Sequence, residues 1–359
     1  MSDQSPRFRQ VLDQFSGYKP GKAPAAAVGR TFKLSSNESP YGPLPSVAAV
    51  LADAASHINR YPDNTAAELT AAIADRFGVP AAHVAVGCGS VGVAQQLLEA
   101  VGEPGAEVMY AWRSFEAYPY LTQLANATPV EVPLTADYRL DLAAMAAAVT
   151  DHTRLIFVCT PNNPTGTAVG RAELTTFLDQ IRGDCLVVID EAYTQYVRDP
   201  DAADGLDLYA SRPNVALLRT FSKAYGLAGL RVGFLIGSEP VAAAARKTML
   251  PFTVNSLAQA AAIASLQAES ELLERVDQVV KERDRVRDEL ISQGWTVPPT
   301  EANFVWLPLR EQAGEFADHC DATGVSVRPY PPDGVRVTVA DPEANDAFLA
   351  AAARYPHRA

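Results

Sequence analysis

Thr220-Phe221-Ser222-Lys223-Ala224-Tyr225-Gly226-Leu227-Ala228-Gly229-Leu230-Arg231 sets one lysine behind a hydroxyl pair and one arginine two turns of helix later. A lysine amine condenses with an aldehyde only when unprotonated, so it needs apolar walls and a second cation to lower its proton affinity. Phe221, Leu227 and Leu230 are the candidate walls, and Arg231 is the candidate charge. Thr220, Ser222 and Arg231 together offer hydroxyls and a guanidinium fork, a donor set that anchors a phosphate ester. An aldehyde bearing a phosphate is pyridoxal 5′-phosphate. An isolated Ser-Lys pair is more often a capped helix start with its lysine in solvent. The motifs elsewhere in the chain overturn that reading.

With 359 residues and 48% of them apolar, the chain can bury a large core, and its length suggests about two domains. The net charge of −12 comes without basic runs, which disfavours nucleic-acid and membrane-surface binding, where Lys and Arg neutralise phosphate. Small-molecule partners are expected instead. No apolar run approaches the ~18 residues of a membrane-spanning helix, and the polar start Met1-Ser2-Asp3-Gln4-Ser5 lacks a signal-like apolar region. The expectation is a cytoplasmic protein. Cys88, Cys159, Cys185 and Cys320 lie far apart with no histidines at ligand spacing, so they read as reduced fillers, and no metal site is expected.

Between residues 83 and 237 short apolar runs alternate with helical segments, the pattern of a mostly parallel sheet wrapped by helices. The candidate strands are 83–86, 107–111, 129–133, 155–159, 186–189, 216–218 and 232–236. Their unbroken hydrophobicity predicts burial on both faces. Residues 255–293 read as one or two long helices with a charged solvated face, followed by strand signals at 304–307, 325–328 and 335–339. The predicted division is a large domain over 45–245, with an N-terminal arm (1–44) and a small α+β domain (246–359) beside it. In open sheets of this kind ligands collect beyond the carboxyl ends of the strands.

Three motifs fall at such ends. Leu186-Val187-Val188-Ile189-Asp190-Glu191-Ala192-Tyr193 closes a strand with a carboxylate, so Asp190 can pair with a protonated pyridine nitrogen, and Tyr193 can reach the ring hydroxyl. In Thr160-Pro161-Asn162-Asn163-Pro164-Thr165-Gly166, Pro164 fixes an extended backbone at Asn163, whose amide can then be aimed at a ring oxygen. Gly87-Cys88-Gly89-Ser90-Val91-Gly92 passes from strand to helix and offers N–H groups and the Ser90 hydroxyl as a phosphate cradle. The dinucleotide spacing G-x-G-x-x-G fails here, which disfavours a nicotinamide enzyme. Phe115 lies just past the next strand and can stack on a pyridine face, although such an aromatic is more often core.

Late in the chain, Arg336 alternates with Val335 and Val337 in a probable strand, so its planar fork is a candidate for a substrate α-carboxylate. Arg328 is a candidate for the same cleft. Either one alone reads more readily as a surface arginine.

In order along the chain, Asn163-Pro164-Thr165-Gly166, Asp190-Glu191-Ala192-Tyr193 and Ser222-Lys223 with Arg231 resemble the fold-type I pyridoxal-phosphate aminotransferases. Within them the chain is similar to the histidinol-phosphate aminotransferase group and its actinobacterial aromatic amino acid aminotransferase relatives. Leu34-Ser35-Ser36-Asn37-Glu38-Ser39-Pro40-Tyr41-Gly42-Pro43, Arg60-Tyr61-Pro62-Asp63, Ala302-Asn303-Phe304 and Arg336-Val337-Thr338-Val339 match further group motifs. Ser36 and Trp112 stand where many histidinol-phosphate enzymes have other residues, and the segment from Val327 to Arg336 is more similar to the aromatic subgroup.

The resemblance implies a homodimer of α/β fold, with a mostly parallel seven-stranded sheet between helices and a smaller α+β domain. Lys223 would carry the cofactor and act as general base and acid, with Asp190 and Tyr193 as its catalytic companions. Gly89, Ser90, Val91, Thr220, Ser222 and Arg231 would hold the phosphate, together with the partner subunit's Tyr61. Phe115, Asn163, Asp190 and Tyr193 would hold the ring. Tyr18, Asn37, Asn163, Arg328 and Arg336 would meet the substrate. Aromatic L-amino acids as donors and 2-oxoglutarate as acceptor are expected, because Tyr18, Tyr41, Phe115 and Tyr330 outnumber the one spare cation, Arg328. Histidinol phosphate is the alternative donor. A same-fold phosphoamino-acid decarboxylase is a further rival, and an aminotransferase-like transcription regulator would need a basic helix-turn-helix extension that this N-terminus does not supply.

Overall fold

The computed structural model describes residues 6–13, 17 and 30–356. Strand β1 (Phe32–Lys33) belongs to the smaller half of the molecule. The next seven, β2 (Val84–Gly87), β3 (Glu107–Trp112), β4 (Thr128–Pro133), β5 (Thr153–Cys159), β6 (Leu186–Asp190), β7 (Val215–Thr220) and β8 (Gly233–Gly237), form one sheet in the order β2-β8-β7-β6-β5-β3-β4. All seven candidate strands are present, each within about two residues of its expected bounds. Runs such as Leu155-Ile156-Phe157-Val158 and Val187-Val188-Ile189 suit a pleated surface covered by helices on both faces, and they are fully buried. The expectation of two buried faces fails at β4. That strand pairs only with β3, carries Pro129 and Pro133, and buries only Val132, as suits an edge strand.

Strand β8 runs antiparallel to both β7 and β2, while the other pairs are parallel. This reversal decides the geometry of the site. The carboxyl ends of β2, β3, β5, β6 and β7 and the amino end of β8 all lie along one edge of the sheet, so Arg231, just before β8, joins the loops that follow the others.

The remaining strands are β9 (Phe304–Leu307), β10 (Val325–Ser326), β11 (Arg328–Tyr330) and β12 (Gly334–Thr338). Three of them form an antiparallel sheet, β11-β12-β9, while β10 pairs in parallel with β1. The single strand expected over 325–328 is therefore two. Ser326 pairs with Lys33 and Arg328 with Arg336, so the chain changes sheets at Val327.

Two helices, Ser256–Gln267 and Glu269–Ser292, fill the predicted helical region. The longer one buries Leu272, Val276, Val279, Val280, Val286 and Leu290 at helical spacing and leaves most of its charges outside. Ala258, Ala261 and Ala262 pack into the core of the seven-stranded sheet, as does Leu272, whereas Val276 onward belongs to the core of the smaller sheet. The packing of the long helix thus changes between Leu272 and Val276. Small alanines let the first helix lie close against Pro45–Ala54 and Ala67–Phe77, which composition alone does not reveal.

The decisive stretch is not helical. β7 ends at Thr220, the chain bends back so that Leu227 N donates to the Phe221 carbonyl at 2.9 Å, and only Ala228–Leu230 form a short 3₁₀ turn. Gly226 takes φ +68° and Arg231 φ +60°, left-handed values that end any helix. The seven residues between Lys223 and Arg231 therefore form a loop.

Directly behind the site Glu191 and Arg219 are both buried and paired at 2.7 Å; Glu191 also accepts from Gly205 N at 2.7 Å. Removing one member of such a pair leaves the other charge buried without its partner, which costs more than the pair itself contributes. Glu191→Ala should lower stability by about 3 kcal/mol, read as an earlier thermal midpoint of the cofactor-free protein. An unchanged midpoint would show that water or Asp204 replaces the partner.

Candidate active site

A cavity of about 490 Å³ opens at the shared edge of the sheet and is closed on its other side by β11, β12 and the 35–38 segment. Its lining brings together Ser90, Val91, Phe115, Asn163, Asp190, Tyr193, Thr220, Ser222, Lys223, Arg231, Arg328 and Arg336. Among the described residues, three expected members are not part of that lining: Gly89, Asn37 and Tyr61. Asn37 is buried behind Tyr193, donating to its hydroxyl at 3.0 Å and accepting from Thr338 Oγ1 at 3.0 Å, so it orients Tyr193 without lining the cavity. Tyr61 is 83% exposed and stacks on Phe252 at 4.6 Å, outside the cavity of its own chain. Tyr18 lies outside the described residues.

Lys223 Nζ donates to the Ser36 carbonyl at 3.1 Å and stands 5.9 Å from the centre of the Tyr193 ring. Burial, then the positive charge of Arg336, then Arg231 and Lys33 hold its amine down at about 7, with Glu38 opposing them. The depressed proton affinity was expected, but its agents differ. Phe221 and Leu227 belong to the core of the large sheet, and Arg336, from the far end of the chain, acts more strongly than Arg231.

Asp190 is 5% exposed and forms no salt bridge among the described residues. Burial pushes its carboxyl up to about 6, while a 2.7 Å hydrogen bond from Tyr118 Oη and one from Ala192 N counter that rise. A buried carboxylate without a cation is costly. A protonated ring nitrogen would supply the missing charge. Tyr118, stacked on Phe157 at 4.3 Å, was not singled out in the sequence; its position three residues past Phe115 was the available signal.

Asn163 Oδ1 accepts from Arg336 Nη1 at 2.5 Å. A guanidinium can only donate, so the amide oxygen must face it and the NH₂ is left as the donor for a ring oxygen. Arg336 Nη2 donates to the Ser35 carbonyl at 2.8 Å, and its Nε has no partner although the side chain is only 6% exposed. Two of its five N–H groups are engaged in these bonds, and the rest of this cavity-lining guanidinium suits an anionic ligand.

At the phosphate end, helix Gly89–Val101 begins at Cys88 with no side-chain cap, leaving its first N–H groups as donors. Arg231 Nη1 donates to Ser222 Oγ at 3.2 Å, and Ser222 N donates to Thr220 Oγ1 at 3.1 Å. Gly89, at φ +71°, is the position where a Cβ would collide with the Arg231 guanidinium. The donor set, the uncapped helix start and the cationless Asp190 together match the phosphate and ring nitrogen of pyridoxal phosphate.

Of the four aromatic residues counted toward a side-chain pocket, only Phe115 lines the cavity among the described residues. Tyr41 packs under Arg275 at 5.8 Å, and Tyr330 is buried behind the lining, with Arg328 and Arg336 at 5.5 and 5.6 Å from its ring centre. Tyr120, which the sequence reading passed over, lines the cavity instead. Arg328 is not a spare cation: its Nη2 donates to Glu116 Oε2 at 2.8 Å.

The chain belongs to the class I and II aminotransferases, a family that residues 30–352 match. It is 62% identical to an aromatic amino acid aminotransferase of Thermobifida fusca, with all of both chains covered. It is 59% identical to one of Streptomyces avermitilis over 99% of each chain. The crystal structure of histidinol-phosphate aminotransferase from Sinorhizobium meliloti in complex with pyridoxal-5′-phosphate superposes with a TM-score of 0.89, at 28% identity and 98% coverage of each chain. The cofactor is pyridoxal 5′-phosphate.

In the cofactor-free protein, labelling of Lys223 by an amine reagent followed across pH should show a midpoint near 7. Arg336→Gln should move that midpoint upward, since it removes a positive neighbour. A midpoint at the ordinary lysine value would refute the site electrostatics.

Proposed function

We propose that the chain transfers the amino group of aromatic L-amino acids to 2-oxoglutarate, giving aromatic oxo acids and L-glutamate, as a cytoplasmic homodimer. The observation that carries this reading is the buried, partly unsatisfied guanidinium of Arg336 beside Lys223, which suits a substrate α-carboxylate. Both an amino acid and 2-oxoglutarate carry that group; histidinol phosphate does not. The names of the 62% and 59% identical relatives support the aromatic side chain.

Pyridoxal phosphate, when bound, supplies an electron sink for the charge that develops at the substrate Cα. Asp190 would keep the ring nitrogen protonated by offering it a buried carboxylate that Tyr118 holds in place. Thr220, Ser222, Arg231 and the start of helix Gly89–Val101 anchor the phosphate. Phe115 would cover the ring, while Asn163 and Tyr193 would donate to its oxygen, Tyr193 being oriented by Asn37. Lys223 Nζ would hold the cofactor, and its amine is the group placed to take a proton from the substrate Cα and return it. A proton affinity near 7 lets one amine do both at neutral pH.

A dimer is supported by the exposed apolar surface formed by Tyr61, Ile58 (67% exposed) and Leu250 (72% exposed), which a second subunit would bury. The four free cysteines suit a reducing compartment.

Side-by-side kcat/KM values for phenylalanine and histidinol phosphate should favour phenylalanine, and a preference for the phosphate ester would assign the chain to histidine synthesis instead. Mixing inactive Lys223→Ala with inactive Tyr61→Ala should restore part of the activity, through hybrid dimers with one site intact. No recovery from subunits shown to exchange would remove Tyr61 from the partner's site.

A further inference from the structure

We propose that Thr338 is a positioning residue for the reaction: acting through Asn37, it fixes the direction of the hydrogen bond at Tyr193, so that the tyrosine proton points into the cavity. The proposal rests on the reading of Tyr193 as a donor to the ring oxygen of the cofactor and names what makes it one.

A tyrosine hydroxyl can donate or accept, so its place beside a ring does not say which it does. Its neighbours decide. Asn37 is fully buried and takes φ +53°, a left-handed value that asparagine tolerates better than most residues. Its backbone N–H, which can only donate, lies 2.8 Å from Thr338 Oγ1. That hydroxyl accepts there, and its own proton goes to Asn37 Oδ1 at 3.0 Å. With Oδ1 turned toward Thr338, the other end of the amide, Nδ2, faces Tyr193 Oη at 3.0 Å and donates to it. The tyrosine oxygen is then the acceptor, and its proton remains for the cavity that the side chain lines.

The reverse arrangement satisfies fewer groups. An amide turned round would aim two donors at Thr338 Oγ1, leave the threonine proton without an acceptor, and spend the tyrosine proton on Asn37 Oδ1. Thr338 is only 3% exposed, so an orphaned proton there is costly. Both members of the relay are also tied to the backbone around them. Thr338 N donates to the Leu34 carbonyl at 2.9 Å, and Asn303 Nδ2 donates to the Asn37 carbonyl at 3.2 Å.

Arg336 stands two residues before Thr338, on the same face of β12. It binds Asn163 Oδ1 and thereby leaves the Asn163 NH₂ for the ring oxygen. One strand of the smaller sheet thus sets the direction of both donors, one through an arginine and the other through Thr338 and Asn37. An oxygen that meets two donors is favoured in its anionic form.

The test follows the absorbance of the bound cofactor across pH in wild type, Tyr193→Phe, Thr338→Val, Thr338→Ser and the double variant Thr338→Val/Tyr193→Phe. Loss of a donor disfavours the anion, so Tyr193→Phe should move the absorbance midpoint to higher pH. Thr338→Val keeps the branched shape but frees the amide to turn, and should move the midpoint the same way by about half a pH unit. Thr338→Ser keeps the hydroxyl and should stay near wild type. In the double variant the valine should add nothing to the shift of Tyr193→Phe. A packing role would give the opposite order, with serine, which loses a methyl group, displaced at least as far as valine; that result overturns the proposal. So does a valine shift that persists without the Tyr193 hydroxyl. Should Thr338→Val not fold, Thr338→Ala supplies the variant without a hydroxyl. An unmoved midpoint in Tyr193→Phe overturns the reading of Tyr193 and the proposal with it, whereas a shift there with none in Thr338→Val overturns the proposal alone.

Discussion

Lowering the proton affinity of one lysine amine to about 7, in a cavity that must also attract anions, is the constraint on which the rest of the structure depends. Burial alone would lower the proton affinity of Lys223, but the site also needs cations for a phosphate and a carboxylate. Those cations are placed so that their repulsion adds to the effect of burial. Arg231 reaches the cavity because β8 runs against its neighbours, bringing the residue before its amino end to the carboxyl edge of the others. Arg336 reaches it because the smaller sheet covers that edge. The two halves of the molecule thus share one electrostatic task.

The opposite problem arises at Asp190, where burial works against the charge that the chemistry needs. Here the protein supplies a hydrogen bond from Tyr118 and leaves the cation to the cofactor. Behind it, Glu191 is fully committed to Arg219 and Gly205 N. Adjacent carboxylates at the end of one strand therefore differ in role because their surroundings differ: one faces the cavity and the other closes a buried ion pair.

Charge also explains why so cationic a cavity can suit an apolar side chain. Lys223 loses its proton near neutral pH, Arg231 is hydrogen-bonded to Ser222, and Arg336 is engaged by Asn163 and Ser35. Arg328 is countered by Glu116. Tyr41 and Tyr330 do not line the cavity, so the count of aromatic residues in the sequence does not describe its wall.

The sequence by itself determined the sheet, the strand-end positions of Asn163, Asp190 and Lys223, and the identity of the cofactor, because these follow from local hydrophobic runs and from residue types at short spacing. It misread the edge strand β4, the break at Val327 and the loop between Lys223 and Arg231, where prolines and positive φ angles override periodicity. Only the tertiary structure decided that Arg336 outweighs Arg231 at Lys223, that Asn37 serves Tyr193, that Tyr118 holds Asp190 across 72 residues, and that Arg328 is already taken. Each of these depends on which loops meet at one edge of a sheet. That is fixed by strand order and direction, and no local stretch of the chain encodes it.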